Sequence, residues 1–363
     1  MKVRPLPPRF AADGLLGWLL IAIGLAAGCS GHTANRPAAT AGGPLLVAVA
    51  EANDVSQIRL FDPRSGQAVR TVASVQHRPG WGLTASVGPS GEQLAYVVLP
   101  VGAVDPDTQG ELWLLPLAGR SARRLATGVD LRSDLTWSPD GSWVSYAKVN
   151  APSIDLRRVN VSGAGDQSLA VSGAADRWYQ FGYAADDRSL ELAHVTNSGT
   201  TFARATPGAS PATEAPITPG SSRDFTLAPD GRAALLALVT ENGKPVYRAL
   251  VRRLDGSFAR LTAGGEEDTG IAWNPRSGEA TVGVVPEAAG QPVPATAGAQ
   301  TLVPASGFDV PVAWSRDGAL LAVRHFSGAS TDTPGEETVL VVRGTQRLPL
   351  QSAVPLTIAG WTP

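Results

Sequence analysis

The chain has 363 residues, 43% of them hydrophobic, with 40 glycines, 29 prolines and a formal charge of −2. That composition belongs to a turn-rich folded protein rather than a disordered one, and the near-neutral balance carries no electrostatic footprint for nucleic acid. A single cysteine, Cys29, excludes an internal disulfide, so the fold must rest on packing.

At the N-terminus, Lys2, Arg4 and Arg9 precede an apolar run from Leu15 to Ala27 that ends on Gly28-Cys29-Ser30. The run is shorter than the roughly 20 residues a membrane-spanning helix needs, and its basic start and small-residue end are those of an export signal. With the only cysteine at the cleavage point, the segment resembles a bacterial lipoprotein signal, which implies that Cys29 carries lipid such as palmitate and opens the mature chain. It departs from that pattern at Ala26, where the family usually has Leu, with Leu25 one position further from the cysteine. The alternative is an ordinary secretory signal with an incidental cysteine. The expected organisation is therefore a signal peptide over 1–28, a lipidated flexible tether over 29–44 and a folded body over 45–363. The tether is small, polar and rich in Pro and Gly. Lipidation would place the protein outside the cytoplasm, anchored to a bacterial membrane by more than one acyl chain. Loss of the signal removes three cations and Asp13, which leaves the remainder more acidic.

Beyond the tether, Leu45 to Ala50 reads as an apolar strand, Gln57 to Asp62 alternates, and Pro63-Arg64-Ser65-Gly66 turns the chain into Ala68 to Ala73. A repeated unit follows, clearest at Leu135 to Tyr146. There Pro139, Asp140 and Gly141 form a tight turn between two strands: Pro presets φ, Asp bonds nearby amides and Gly takes positive φ. Copies recur at Pro89-Ser90-Gly91, at the degenerate Ala184-Ala185-Asp186-Asp187, and at Pro229-Asp230-Gly231. They recur again at Pro275-Arg276-Ser277-Gly278 and Arg316-Asp317-Gly318, and the sequence ends on Trp361-Thr362-Pro363. Anchored on Val87, Trp137, Tyr183, Leu227, Trp273, Trp314 and Trp361, the steps are 50, 46, 44, 46, 41 and 47 residues. Four short strands per step and no helical period make this an all-β β-propeller with seven four-stranded blades. Six blades are the alternative, if the Tyr183 copy is an insertion or the Trp361 match is accidental. The N-terminal copy lacks its first strand and the C-terminal copy has only that strand. Pairing Leu356 to Trp361 with Leu45 to Ala50 would close the ring and leave no long sheet edge.

The Ser-Pro-Asp-Gly repeats resemble those of the TolB-like and WD40-like (PD40) propellers over roughly Leu45 to Pro363. That resemblance implies that the strand before each turn is innermost and that binding loops lie at the opposite end. It also implies periplasmic scaffolds of envelope complexes, or propellers fused to peptidase domains.

Catalytic spacing is sparse. No Gly-x-Ser-x-Gly elbow, His-Glu-x-x-His or phosphate-cradling loop occurs. His194 and His325 stand eleven residues after their anchors, as Lys148 does, so they either converge on an anion in the channel or are separate strand-end groups. Asp134, Asp224, Asp268 and Asp309, with Glu266 and Glu267, precede innermost strands. They either hold a hard cation such as Ca²⁺ or pair with Arg132 and Arg223. Trp81 and the Trp178-Tyr179 pair are read as loop aromatics beside arginines, the residue types of protein interfaces. The anchor tryptophans are expected to be buried between blades.

These features lead to a non-enzymatic, membrane-tethered binding scaffold, monomeric and without a cofactor. Cys29 is its lipidation site, and an envelope protein or cell-wall material contacts Trp81, Arg132, Trp178, Tyr179 and Arg223. The alternatives are a channel-site hydrolase or lyase, and a sensory lipoprotein that modulates a membrane kinase.

Overall fold

The computed structural model describes residues 42–363 apart from 174–176, 185, 187, 197–198, 219–220, 254–255 and 297, and only the backbone of 213–218. The signal segment, Cys29 and most of the tether lie outside the described residues. Pro44–Pro363 form one unit, in which every regular element among the described residues is a β-strand.

The strands fall into seven sheets. The first strands of blades 2 to 7 are Thr84–Val87, Thr136–Trp137, Trp178–Tyr183, Ser222–Leu227, Glu267–Trp273 and Phe308–Trp314, and blade 1 begins with Leu356–Trp361. Each of the seven anchors read from the sequence is the last residue of one of these strands. They lie side by side around the axis, with the indole of Trp137 against Gly88 linking blades 2 and 3. The Tyr183 copy is therefore a complete blade, and the count is seven.

The ring closes as its two ends suggested. Leu356–Trp361 pairs antiparallel with Leu46–Glu51, setting Trp361 opposite Leu46. Thr362 donates its amide to the Leu45 carbonyl at 2.9 Å, and Leu45 returns its own to Thr362 Oγ1 at 2.9 Å. Trp361 is 4% exposed, and its Nε1 donates to the Ala313 carbonyl of blade 7 at 3.0 Å. Trp137 repeats that bond toward Ser86 of blade 2, at 3.2 Å. Trp361 and Trp273 are buried as expected, whereas Trp137 and Trp314 are only half-buried.

The core is divided among the interfaces. Seven apolar clusters each span one pair of neighbouring blades, so a strand such as Gln93–Val98 is buried on both faces. That accounts for its unbroken Leu-Ala-Tyr-Val-Val run, where a one-sided sheet would alternate.

Blade 6 differs from the other six. It has three strands, and the third, Ala299–Leu302, runs parallel to Ala280–Val285. A parallel neighbour requires the chain to recross the sheet between them. The returning segment bridges Ala295 to Thr262 of the blade 5 linker, and Thr301 Oγ1 donates to the Val293 carbonyl at 2.6 Å. Pro292 and Pro294 flank Val293, and proline offers no N–H for further strand addition.

Candidate binding surface at the mouth of the channel

The two ends of the ring are built differently. At one, the turns after the innermost strands repeat one hydrogen-bond pattern. Asp140 Oδ1 takes the Ser142 amide at 2.9 Å and the Ser138 hydroxyl at 2.6 Å, while Gly141 sits at φ +72°. Asp317 does the same for Ser315 at 2.6 Å and Ala319 at 3.1 Å. The Ser315 hydroxyl first, then the Ala319 amide, hold the Asp317 carboxyl below the ordinary aspartate range. Even the degenerate copy keeps the device, with Asp186 taking the Arg188 and Ser189 amides at 2.9 and 2.8 Å. These carboxylates are occupied in turning the chain.

The opposite end, the mouth, carries the linkers between blades. Its acids do not gather into a rim. Asp309 is fully buried, accepting from His325 Nδ1 at 2.9 Å and from Arg347 at 2.5 and 2.6 Å. Asp268, also fully buried, takes the Ala249 amide at 2.7 Å and the Thr262 hydroxyl at 2.8 Å. Burial pushes the Asp268 carboxyl above its ordinary range against the pull of that amide. Glu267 accepts from Thr331. Asp224 has Arg223 at 3.7 Å. Among the described residues, no group of three or more His, Cys, Asp or Glu is placed to hold a metal ion.

His194, His325 and Lys148 do not converge either. In each case a nearer neighbour takes the side chain. His194 stacks on its cross-strand partner Trp178, with ring centroids 4.2 Å apart and planes 14° apart. His325 is held by Asp309, its own cross-strand partner, and the Lys148 stem lies over Gly128 of blade 2.

A belt of arginines set against aromatic rings does form on the mouth side of blades 3 to 5. Asp130, fully buried between blades 2 and 3, receives Arg177 Nη2 at 3.0 Å and the Arg132 amide at 2.9 Å. Arg132 keeps 59% of its side chain exposed and also bonds Asp107. The Arg177 guanidinium lies 5.5 Å from the Tyr179 ring, which faces Phe225 at 6.5 Å. Two residues before Phe225, Arg223 lies 4.1 Å over the Tyr247 ring, which packs toward blade 6 whereas Phe225 packs toward blade 4. Three arginines thus alternate with aromatic faces along one arc. A small notch between blades 3 and 4 is lined by Ser133, Asp134, Arg177, Tyr179 and Gln180.

Of the proposed contacts, Arg132, Tyr179 and Arg223 belong to this belt. Trp81 is half-buried in its loop against the cluster of blades 2 and 3. Trp178 and Tyr179 lie in the innermost strand Trp178–Tyr183 rather than in a loop, and the contact of Trp178 with His194 leaves it 8% exposed. Sequence reading missed Asp130, whose partner Arg177 lies 47 residues away. It also missed Phe225 and Tyr247, which look like ordinary strand aromatics until neighbouring strands meet.

No protein-family model matches the chain, and no curated protein matches it. Among solved structures, TolB from Acinetobacter baumannii is 13% identical with a TM-score of 0.55, the match covering 88% of this chain and 67% of that one. A structure from a study of two prolyl endopeptidases is 12% identical with a TM-score of 0.54, covering 86% of this chain and 50% of that one. This chain thus spans about half the length of that peptidase. At these identities the likeness is one of fold, the propeller.

Proposed function

We propose that the chain is an extracytoplasmic binding scaffold, held to a bacterial membrane by lipid on Cys29, that engages an envelope protein through the mouth of its ring. The observation that carries this reading is the belt from Arg132 through Arg177 and Tyr179 to Arg223. Arginine and tyrosine dominate interface energetics because they bring large area and several donors at modest entropic cost. Buried Asp130 fixes Arg132 and Arg177 from below, so little ordering of these two remains to be done on binding.

Two measurements test it. Replacing Cys29 with Ala should move the protein from the membrane fraction to the soluble one; an unchanged distribution removes the anchor. A photoreactive residue at position 132, in intact cells, should crosslink to an envelope protein, and the same residue at 276 in a blade turn should not. The reverse pattern would move binding to the other end of the ring.

A further inference from the structure

Arg223 and Asp224 stand at an irregularity in the innermost strand of blade 5. Ser222 and Arg223 face Ala237 and Leu236, and pairing resumes only at Thr226 opposite Ala234. One extra residue is therefore inserted, a bulge that re-aims side chains out of the ladder. Asp224 adopts φ +53°, a left-handed conformation uncommon for residues with a Cβ and most accessible to Asn and Asp. Its carboxylate is half exposed, at 49%, yet senses Arg324 of blade 7, two blades further round. It therefore projects to the inner side of the ring.

The two side chains are adjacent and incompletely satisfied. Arg223 Nε is buried without a hydrogen-bond partner, because the nearest Asp224 oxygen is 3.7 Å away, beyond hydrogen-bond range; the side chain is 31% exposed, so a ligand meets it through the outer guanidinium nitrogens. Among the described residues, Asp224 accepts no hydrogen bond in return. The Tyr247 ring lies beneath the Arg223 guanidinium, 4.1 Å away. The next charge, Arg324, is closed off by Glu337 at 2.6 and 2.8 Å.

We infer that this pair is the contact point for a carboxamide or peptide group, Arg223 donating to its carbonyl oxygen and Asp224 accepting from its N–H. Charge decides against simpler ligands. An anion drawn to Arg223 meets the Asp224 carboxylate, and a cation drawn to Asp224 meets the guanidinium. A neutral group with one acceptor and one donor is repelled by neither and satisfies both. The inference rests on the proposed binding role of the mouth only in taking that amide to belong to a protein.

The test is a titration of the full chain, followed through the Arg223 Nε–H resonance and assigned by its loss in Arg223→Lys. Three probes are compared: N-acetylglycinamide, acetate and methylammonium. The amide should shift the resonance saturably and at least threefold more tightly than either ion. Asp224→Gly removes the carboxylate while suiting the backbone, and should weaken the amide about tenfold. Tighter binding of acetate or methylammonium, no response to any probe, or an unaffected Asp224→Gly would each overturn the inference. If the amide fails while position 132 still crosslinks, this inference falls alone; if the amide binds and no crosslink forms, the scaffold reading falls instead.

Discussion

The turn end of the ring solves one problem repeatedly with one local device, whereas the mouth solves a different problem at almost every blade with long-range partners. Ser138, Asp140 and Ser142 satisfy each other within five residues, and Ser315 with Asp317 and Ala319 does so again. At the mouth, Asp130 reaches Arg177, Asp268 reaches the Ala249 amide, and Asp309 reaches His325 and Arg347. A short-range turn can be copied from blade to blade because it asks nothing of its neighbours. A buried carboxylate satisfied by distant strands, of its own blade or the next, depends on all of them, so each one is particular, and an irregular surface is where specific recognition can be built.

Both ends hang on the closed ring, so the largest effect should come from opening it. Deleting Leu356 to Pro363 exposes an edge of blade 1 and removes the buried Trp361, whose loss alone is worth about 3 to 5 kcal/mol. Thermal unfolding of that truncation should lose its single cooperative transition, and an unchanged midpoint would mean that the ring does not depend on its last strand. Next is a mouth carboxylate. Asp309→Ala leaves His325 and Arg347 facing a buried void, and removing one side of a buried ion pair costs about 3 to 5 kcal/mol. The matching change at the turn end, Asp140→Ala, loses only bonds near solvent and should cost about 1 kcal/mol in denaturant unfolding. Equal costs for the two aspartates would erase the distinction between the ends.

The same contrast explains how much the sequence disclosed. Every anchor from Val87 to Trp361 ends an innermost strand, because Pro, Asp and Gly enforce a turn by local geometry that a sequence displays directly. Closure of the ring was legible for a related reason: a missing strand at one end and a surplus strand at the other are visible as counts. Asp309 was expected just before an innermost strand but lies within one, Phe308–Trp314, and its partner Arg347, 38 residues away, could not be read because that meeting depends on the twist of blade 7. Trp178 was misplaced in a loop because the residues before it carry no clear turn signal, and its stacking on His194 exists only once two strands are in register. The parallel strand Ala299–Leu302 was invisible as well, because it breaks the antiparallel rule that the other blades obey.

The smallest effect, and the one with an unusual sign, concerns Asp224. Desolvation by the surrounding inner strands raises its carboxyl above the ordinary aspartate range, although 49% of the side chain still meets water, with Arg223 and Arg324 opposing, so the folded state prefers the protonated form. A raised group contributes stability that is complete below the unfolded value, near 3.9, and is lost as pH climbs through the folded value. Asp224→Asn deletes that charge and also suits the left-handed backbone better. Its melting midpoint should exceed that of the parent at neutral pH, and the charge part of the gap should vanish below about pH 3. Glu241 has the opposite sign: hydrogen bonds from Arg248 and Arg260, against its own burial, bring it down to about 2. It therefore withdraws stability from both proteins equally as pH falls through that value, and the difference between them isolates Asp224. A destabilised Asp224→Asn would make the aspartate a structural residue. A stabilised one shows that the fold retains this charge at its own expense, as sites built for a ligand do.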